Sequence, residues 1–190
     1  LRAWNRTQQP RLDLFDVSGL RKTRQPVVET LSGLRVGQQI TLDGLSRASR
    51  QLAEFPASTR ASVSYVPRPE GRADLRVTLA ERDRFPIRPL TLAVVGGRAP
   101  FTREVRASLG PLTSGGDRAE LAWRFWPDRP RYAASFTAPA PWAGLWGVQA
   151  SYEQQPFTTP VSSTLRRVSA GLGASAWHNG WLRWQVSGAV

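Results

Sequence analysis

The stretch "GRADLRVTLAERDRFP", residues 71–86, alternates strictly and then ends in charges. Ala73, Leu75, Val77 and Leu79 share one parity and Asp74, Arg76 and Thr78 the other, which is the period of a half-buried β-strand. Residues 60–66 alternate in the same way, with Ala61, Val63 and Tyr65 together, and the turn Pro67-Arg68-Pro69-Glu70-Gly71 joins the two runs as a hairpin. The cluster Glu81, Arg82, Asp83, Arg84, closed by Pro86, marks where one pattern stops and another begins.

Toward the N-terminus, residues 12–17 (Leu-Asp-Leu-Phe-Asp-Val) read as a strand leading into Ser18-Gly19-Leu20. Pro26 opens a helix with Val27, Leu31 and Leu34 on one face, expected to close at Gly37. Asp43 is the expected N-cap of a second helix, with Leu45, Ala48, Leu52 and Phe55 on one stripe and Pro56 as its stop. The predicted order is β-α-α-β-β.

Beyond Pro89 the chain alternates in seven segments. Their apolar positions begin at Leu90, Val105, Leu121, Tyr132, Trp146, Val168 and Leu182, and turn-rich links such as Gly96-Gly97 and His178-Asn179-Gly180 separate them. Short links favour antiparallel neighbours and hence a meander. A soluble sandwich and a membrane barrel both satisfy that much. The tryptophans help to decide, since Trp123 and Trp126 crowd one strand end, Trp142 and Trp146 flank another, and Trp177, Trp181 and Trp184 surround the His178 turn. An indole joins an apolar body to a polar N–H, which suits the aromatic girdles of a membrane barrel. Ordinary packing in a core or at turns is the competing explanation.

Composition narrows the classes further. The net charge of +12 comes almost wholly from arginine, Lys22 being the single lysine. Up to Pro86 there are 15 basic and 9 acidic residues, and beyond it 11 and 5, so each part carries +6 and no dense basic run stands out. A soluble, Arg-rich nucleic-acid-binding β protein is the rival from a different class, and no nucleic-acid partner is expected. There is no cysteine and one histidine, His178, so neither a metal nor another cofactor is expected. Nor is an enzyme: Glu104, Asp117, Glu120 and Asp128 are scattered, Gly96-Gly97 is too short for a phosphate loop, and Ser175 in "GASAW" lacks the G-x-S-x-G surroundings of a nucleophile elbow. No apolar run approaches the ~18 residues of a membrane helix. A chain that starts at Leu1 and stops within an alternating run at Val190 is expected to be a piece of a longer protein.

The run "SGLRKTRQPVVETLSGLRVGQQITLDGLSRASRQLAEFPASTRASVSYVPRPEGRADLRVTLAERD" resembles a POTRA domain of the BamA/TamA-like outer-membrane assembly proteins. The matching features are Gly19 after the first strand, the Leu34-to-Gly37 segment, the "RQLAEF" helix end, and a hairpin of the form P-x-x-G-x-A-D-L-x-V-x-L-x-E-R. The family often has Leu-Gly-x-Phe where this chain has Leu52-Ala53-Glu54-Phe55. The resemblance implies an α+β POTRA domain (β-α-α-β-β) at 11–84, followed by an antiparallel β-meander, the N-terminal part of a transmembrane β-barrel, at 88–190. Residues 1–10 would be a linker or the end of a preceding domain.

The function so implied is assembly or insertion of outer-membrane proteins, with a two-partner-secretion-type translocation pore as the alternative. Nascent outer-membrane or secreted proteins, outer-membrane lipid and periplasmic accessory proteins are the implied partners. The client-binding edge would be the strand Arg60, Ala61, Ser62, Val63, Ser64, Tyr65, and the lateral seam the strand Leu90, Thr91, Leu92, Ala93, Val94, Val95. The girdles would comprise Trp123 and Trp126 on the outer side and Trp142, Trp146, Trp177, Trp181 and Trp184 on the periplasmic side.

Overall fold

The structure, a computed structural model, describes residues 9–85, 97, 99–157 and 163–190. Eleven elements run in the order β1 (Arg11–Ser18), α1 (Gln25–Ser32), α2 (Leu42–Ala53), β2 (Ser58–Arg68), β3 (Arg72–Glu81), β4 (Glu104–Leu109), β5 (Arg118–Phe125), β6 (Pro130–Ala140), β7 (Gly144–Phe157), β8 (Ser163–Trp177) and β9 (Arg183–Ala189). They form a three-stranded sheet ordered β1-β3-β2 and a six-stranded sheet ordered β4-β5-β6-β7-β8-β9. No helix among the described residues is long and apolar enough to cross a membrane.

In the small sheet, β3 lies between a parallel β1 and an antiparallel β2. Its residues Ala73, Leu75, Val77 and Leu79 are buried with Val28 and Leu31 of α1 and Ala48 and Leu52 of α2, so the helices cover one face. Six of the strands beyond it form the meander read in the sequence, every neighbouring pair antiparallel. The seventh segment, with Leu90, Thr91, Leu92, Ala93, Val94 and Val95, lies outside the described residues, as do residues 1–8.

Two helix ends differ from expectation, and β1 contains an irregularity. Helix α1 ends at Ser32 because Gly33 adopts the left-handed conformation (φ 68°) that halts a helix without steric cost. Gly37 (φ 84°) instead serves the next turn, where its N–H donates to the Leu12 carbonyl at 2.7 Å. The N-cap of α2 is Thr41, whose Oγ1 accepts from the Gly44 N–H at 3.0 Å, while Asp43 occupies the first turn. In β1 the register shifts between Leu12 and Leu14, so that Leu12 and Phe15 are both buried and Leu14 faces out.

The charged stop of β3 has a structural task. Glu81 accepts from the backbone N–H groups of Arg21, Lys22 and Thr23 and from the Thr23 hydroxyl, which ties the β1–α1 loop to the end of β3. Burial pushes the Glu81 carboxyl up, but the Thr23 hydroxyl and these N–H donors more than offset it and hold the group below the usual range. Asp117 does the same for the β4–β5 loop, accepting from the N–H groups of Leu112 and Thr113 and from the Thr113 hydroxyl.

Candidate functional site

Two features of the backbone define the candidate site: a strand edge that no other described strand covers, and a two-faced sheet. The edge is β2. Among the described residues it pairs with β3 on one side only, whereas the outer side of β1 is partly occupied by bonds between Leu12 and both Gly37 and Gln38. Arg60, Ser62 and Ser64 are exposed on the open face, and Ala61, Val63 and Tyr65 are half-buried against the helices. Burial raises the Tyr65 phenol above its ordinary value. An uncovered edge presents unpaired N–H and C=O groups to any extended chain, independent of that chain's sequence.

The six-stranded sheet separates its side chains cleanly, since cross-strand partners share a face. One face carries the rows Val105, Trp123, Tyr132, Tyr152, Val168, then Ala107, Leu121, Ala134, Ala150, Ala170, then Leu109, Ala119, Phe136, Val148, Leu172. The opposite face carries Glu104, Arg124, Arg131, Glu153, Arg167 and, below them, Ser108, Glu120, Ser135, Gln149, Gly171. The Arg124–Glu153 (2.6 Å), Arg106–Glu104 (2.6 Å) and Arg118–Glu120 ion pairs all stand on this polar face. Most of the apolar face is bare, with Val168 75% exposed, Val186 67% and Leu172 62%, while Ala138, Ala140 and Ala176 at its Trp142 end are buried.

The tryptophans occupy distinct places. Trp123 stacks on Tyr132 at 6.4 Å between ring centroids, and Tyr132 meets Tyr152 at 6.2 Å, forming an aromatic row at one end of the apolar face. Beside it Trp126 donates Nε1–H to the Thr102 carbonyl, with the Arg124 guanidinium 4.9 Å above its ring. At the other end Trp146 and Trp184 lie on the apolar face, with Trp146 against Phe136 at 5.6 Å, and Trp142 and Trp181 sit exposed in turns. Trp177 shares the parity of Ser175 and Arg183, so it lies on the polar face and packs beneath Arg50 of α2 at 5.6 Å.

The Trp142 and Trp181 end of the sheet is also where the helices attach. Gln51, 1% exposed, accepts the Trp177 N–H; Asp43 accepts the Gly180 N–H; and Glu54 pairs with Arg183 at 3.3 Å. On the β4–β5 side, the Arg24 N–H donates to the Ser114 carbonyl, and Gly116 (φ 74°) packs so closely that a Cβ there would come within 2.5 Å of the Phe55 ring. The sequence gives no local sign of these attachments, because the Gln51, Asp43 and Glu54 contacts join residues more than a hundred positions apart. Among the described residues no group of His, Cys, Asp or Glu side chains is placed to hold a metal ion.

No family model matches the sequence, and no curated protein sequence matches it. Solved structures do match in fold. CdiB from Escherichia coli aligns over 95% of this chain with a TM-score of 0.59 at 14% identity, and CdiB from Acinetobacter baumannii over 95% with 0.54 at 13%. BamA from Haemophilus ducreyi lacking POTRA domains 1-3 aligns over 89% with 0.52 at 11%. The chain spans about a third of the length of each, 36%, 37% and 33% respectively. With its two-faced antiparallel sheet and the helical layer fixed to one end of it, the chain has the fold of part of the BamA and CdiB structures.

Proposed function

We propose that residues 11–84 form a POTRA-type domain and residues 88–190 the first strands of an outer-membrane β-barrel, in a protein that inserts other proteins into that membrane. The observation that carries this reading is the bare apolar face of the six-stranded sheet opposite a charged and hydroxylated one. In water each Å² of that apolar surface costs about 25 cal/mol. Against lipid it costs nothing, and a barrel interior accommodates the polar face. The spacing of the aromatic rows agrees. Tyr152 and Trp146 stand six residues apart on β7, about 20 Å along a strand and about 15 Å once tilted, so both rings fall within the apolar band of such a barrel. Val168 and Ala176 on β8 are eight apart, about 27 Å along the strand and about 20 Å once tilted, close to the ~25 Å apolar band of such barrels.

The chemistry requires no catalyst. The β2 edge at 60–65 would hold an extended client segment by main-chain pairing, and the seam strand at 88–95 would offer a second edge to nascent barrel strands. Outer-membrane lipid, nascent outer-membrane proteins and periplasmic accessory proteins are the partners this implies, with the POTRA-type domain on the periplasmic side. A soluble nucleic-acid binder would bury its apolar residues, whereas Val168, Leu172 and Val186 are exposed here.

The test is reconstitution of the full-length protein in lipid vesicles with an unfolded outer-membrane client. A client that becomes protease-resistant within the bilayer supports insertion. Release of the client across the bilayer replaces insertion by secretion, and a client unaffected by the protein overturns both.

A further inference from the structure

We infer that the α1–α2 connection, 33–41, rests on the headgroup layer of the adjoining leaflet, and that the cleft beside it seats a phospholipid headgroup. This rests on the outer-membrane reading and adds a second, peripheral membrane contact to it. Gly144 belongs to the apolar face, and a Cβ there would meet Trp142 Nε1 at 3.0 Å and Ala176 Cβ at 3.1 Å. Trp142 therefore continues the apolar face past the end of its strands, and it is 53% exposed. The next residue, Ala143, touches the helix end, its Cβ lying 3.3 Å from where a Gly33 Cβ would stand. The α1–α2 connection is thus held at the rim of the apolar face.

The side chains at that rim suit a headgroup layer. Val36 is 63% exposed, Leu42 57% and Trp181 78%, and Leu42 adjoins Asp43, which holds the turn containing Trp181. Water leaves such a group of apolar side chains without a partner, whereas tryptophan and short apolar residues beside arginine are the composition of an interfacial contact.

The cleft between this connection and the 141–143 turn holds about 560 Å³ and is lined by Glu29, Arg35, Val36, Arg47 and Trp142 among others. Arg47 donates from one guanidinium nitrogen to the Gly33 carbonyl at 3.4 Å, while its buried Nε has no acceptor. Arg35 has no ion-pair partner among the described residues. Two guanidinium groups call for a phosphate. Glu29 on the same wall disfavours a bare anion and suits the ammonium of a zwitterionic headgroup, so a phosphoethanolamine-type lipid fits the charge pattern of the cleft.

The chain contains no cysteine, so single nitroxide labels can be placed in it without background. The full-length protein would be labelled in turn at V36C, V168C and S62C, in nanodiscs of phosphatidylethanolamine and phosphatidylglycerol, and collisions with oxygen and with a water-soluble nickel chelate measured. The expected result is a V168C label reached by oxygen and not by nickel, an S62C label reached freely by nickel, and a V36C label several-fold less accessible to nickel than S62C but still open to oxygen. Burial against protein would lower both collision rates at V36C and would overturn the inference. So would a V36C label that behaves as S62C does in lipid and loses nickel access only when a client or accessory protein is added. A water-exposed V168C label would instead sink the outer-membrane reading itself. Arg35→Glu should restore nickel access at V36C; unchanged access would remove the headgroup from the explanation.

Discussion

The two sheets of this chain share one sequence pattern and treat it in opposite ways. In β3 the apolar parity, Ala73 to Leu79, is at most 3% exposed because α1 and α2 lie on it. In the six-stranded sheet the equivalent parity is left open, with Val148, Leu172 and Val168 between 42% and 75% exposed. Alternation therefore states that a strand has two unlike faces and does not state what covers the apolar one. In the small sheet the chain itself supplies the cover. In the large sheet no described residue covers most of it, and the aromatic rows at both ends of the exposed part suit the lipid proposed above.

Substitutions on the two sheets would break or sharpen this contrast. Leu75→Ala removes a fully buried side chain from beneath the helices and should destabilise the α/β part by about 2–5 kcal/mol. Hydrogen exchange over residues 11–84 in the reconstituted full-length protein would read the loss. Leu172→Arg places a charge at the middle of the bare face and should destabilise a membrane barrel by about 2–4 kcal/mol, while Gln149→Arg, at the same level on the polar face, should cost about 0–1 kcal/mol. Unfolding from lipid vesicles measures both. Equal costs for the pair would mean that the two faces do not meet different solvents.

What could be read in the sequence follows from how local each signal is. The hairpin around Pro67 to Gly71 and the six described strands of the meander were legible because their pairing is between neighbours in the chain. The helix ends were not fixed, since Gly33 and Gly37 both suit a left-handed turn, and Thr41 and Asp43 are both capable N-caps. Trp177 illustrates a signal present and passed over: it follows Ala176 directly, so its parity already set it on the polar face. The attachment of α2 to the β8–β9 turn through Gln51, Asp43 and Glu54 had no sequence signal, because three polar residues on a helix look like any solvated face.

Glu81 separates the role of a charge from its appearance in sequence. It marks the end of a strand, but in the fold its carboxylate gathers three backbone N–H groups and a hydroxyl. Its pKa is depressed on folding, so its contribution is fully present above the ordinary Glu value of about 4.3 and fades as pH falls through the lower folded value. Glu81→Gln should cost about 1–3 kcal/mol at neutral pH, the range for a lost charged hydrogen-bond acceptor, and should flatten the acid limb of the unfolding curve of the α/β part. A variant as acid-sensitive as the parent would assign that limb to other carboxylates, Asp117 first among them.

The smallest expected change in stability belongs to the β2 edge, which has no second partner strand among the described residues. The register with β3 turns the Ser62 and Ser64 N–H groups inward and that of Ala61 outward, so Ala61→Pro is the change that removes one backbone donor from that edge. Tolerance of proline on edge strands means a fold change of about 1 kcal/mol or less where the lost N–H pointed outward. Client capture should suffer more, because an added strand depends on those same donors and has no side-chain contacts to compensate. Photocrosslinking from positions 62 and 64 of the parent to an unfolded client, repeated in the proline variant, separates the two quantities. If the parent yields no client adduct from either position, the edge is only the border of a sheet, and the contrast between the two sheets reduces to the bare apolar face alone.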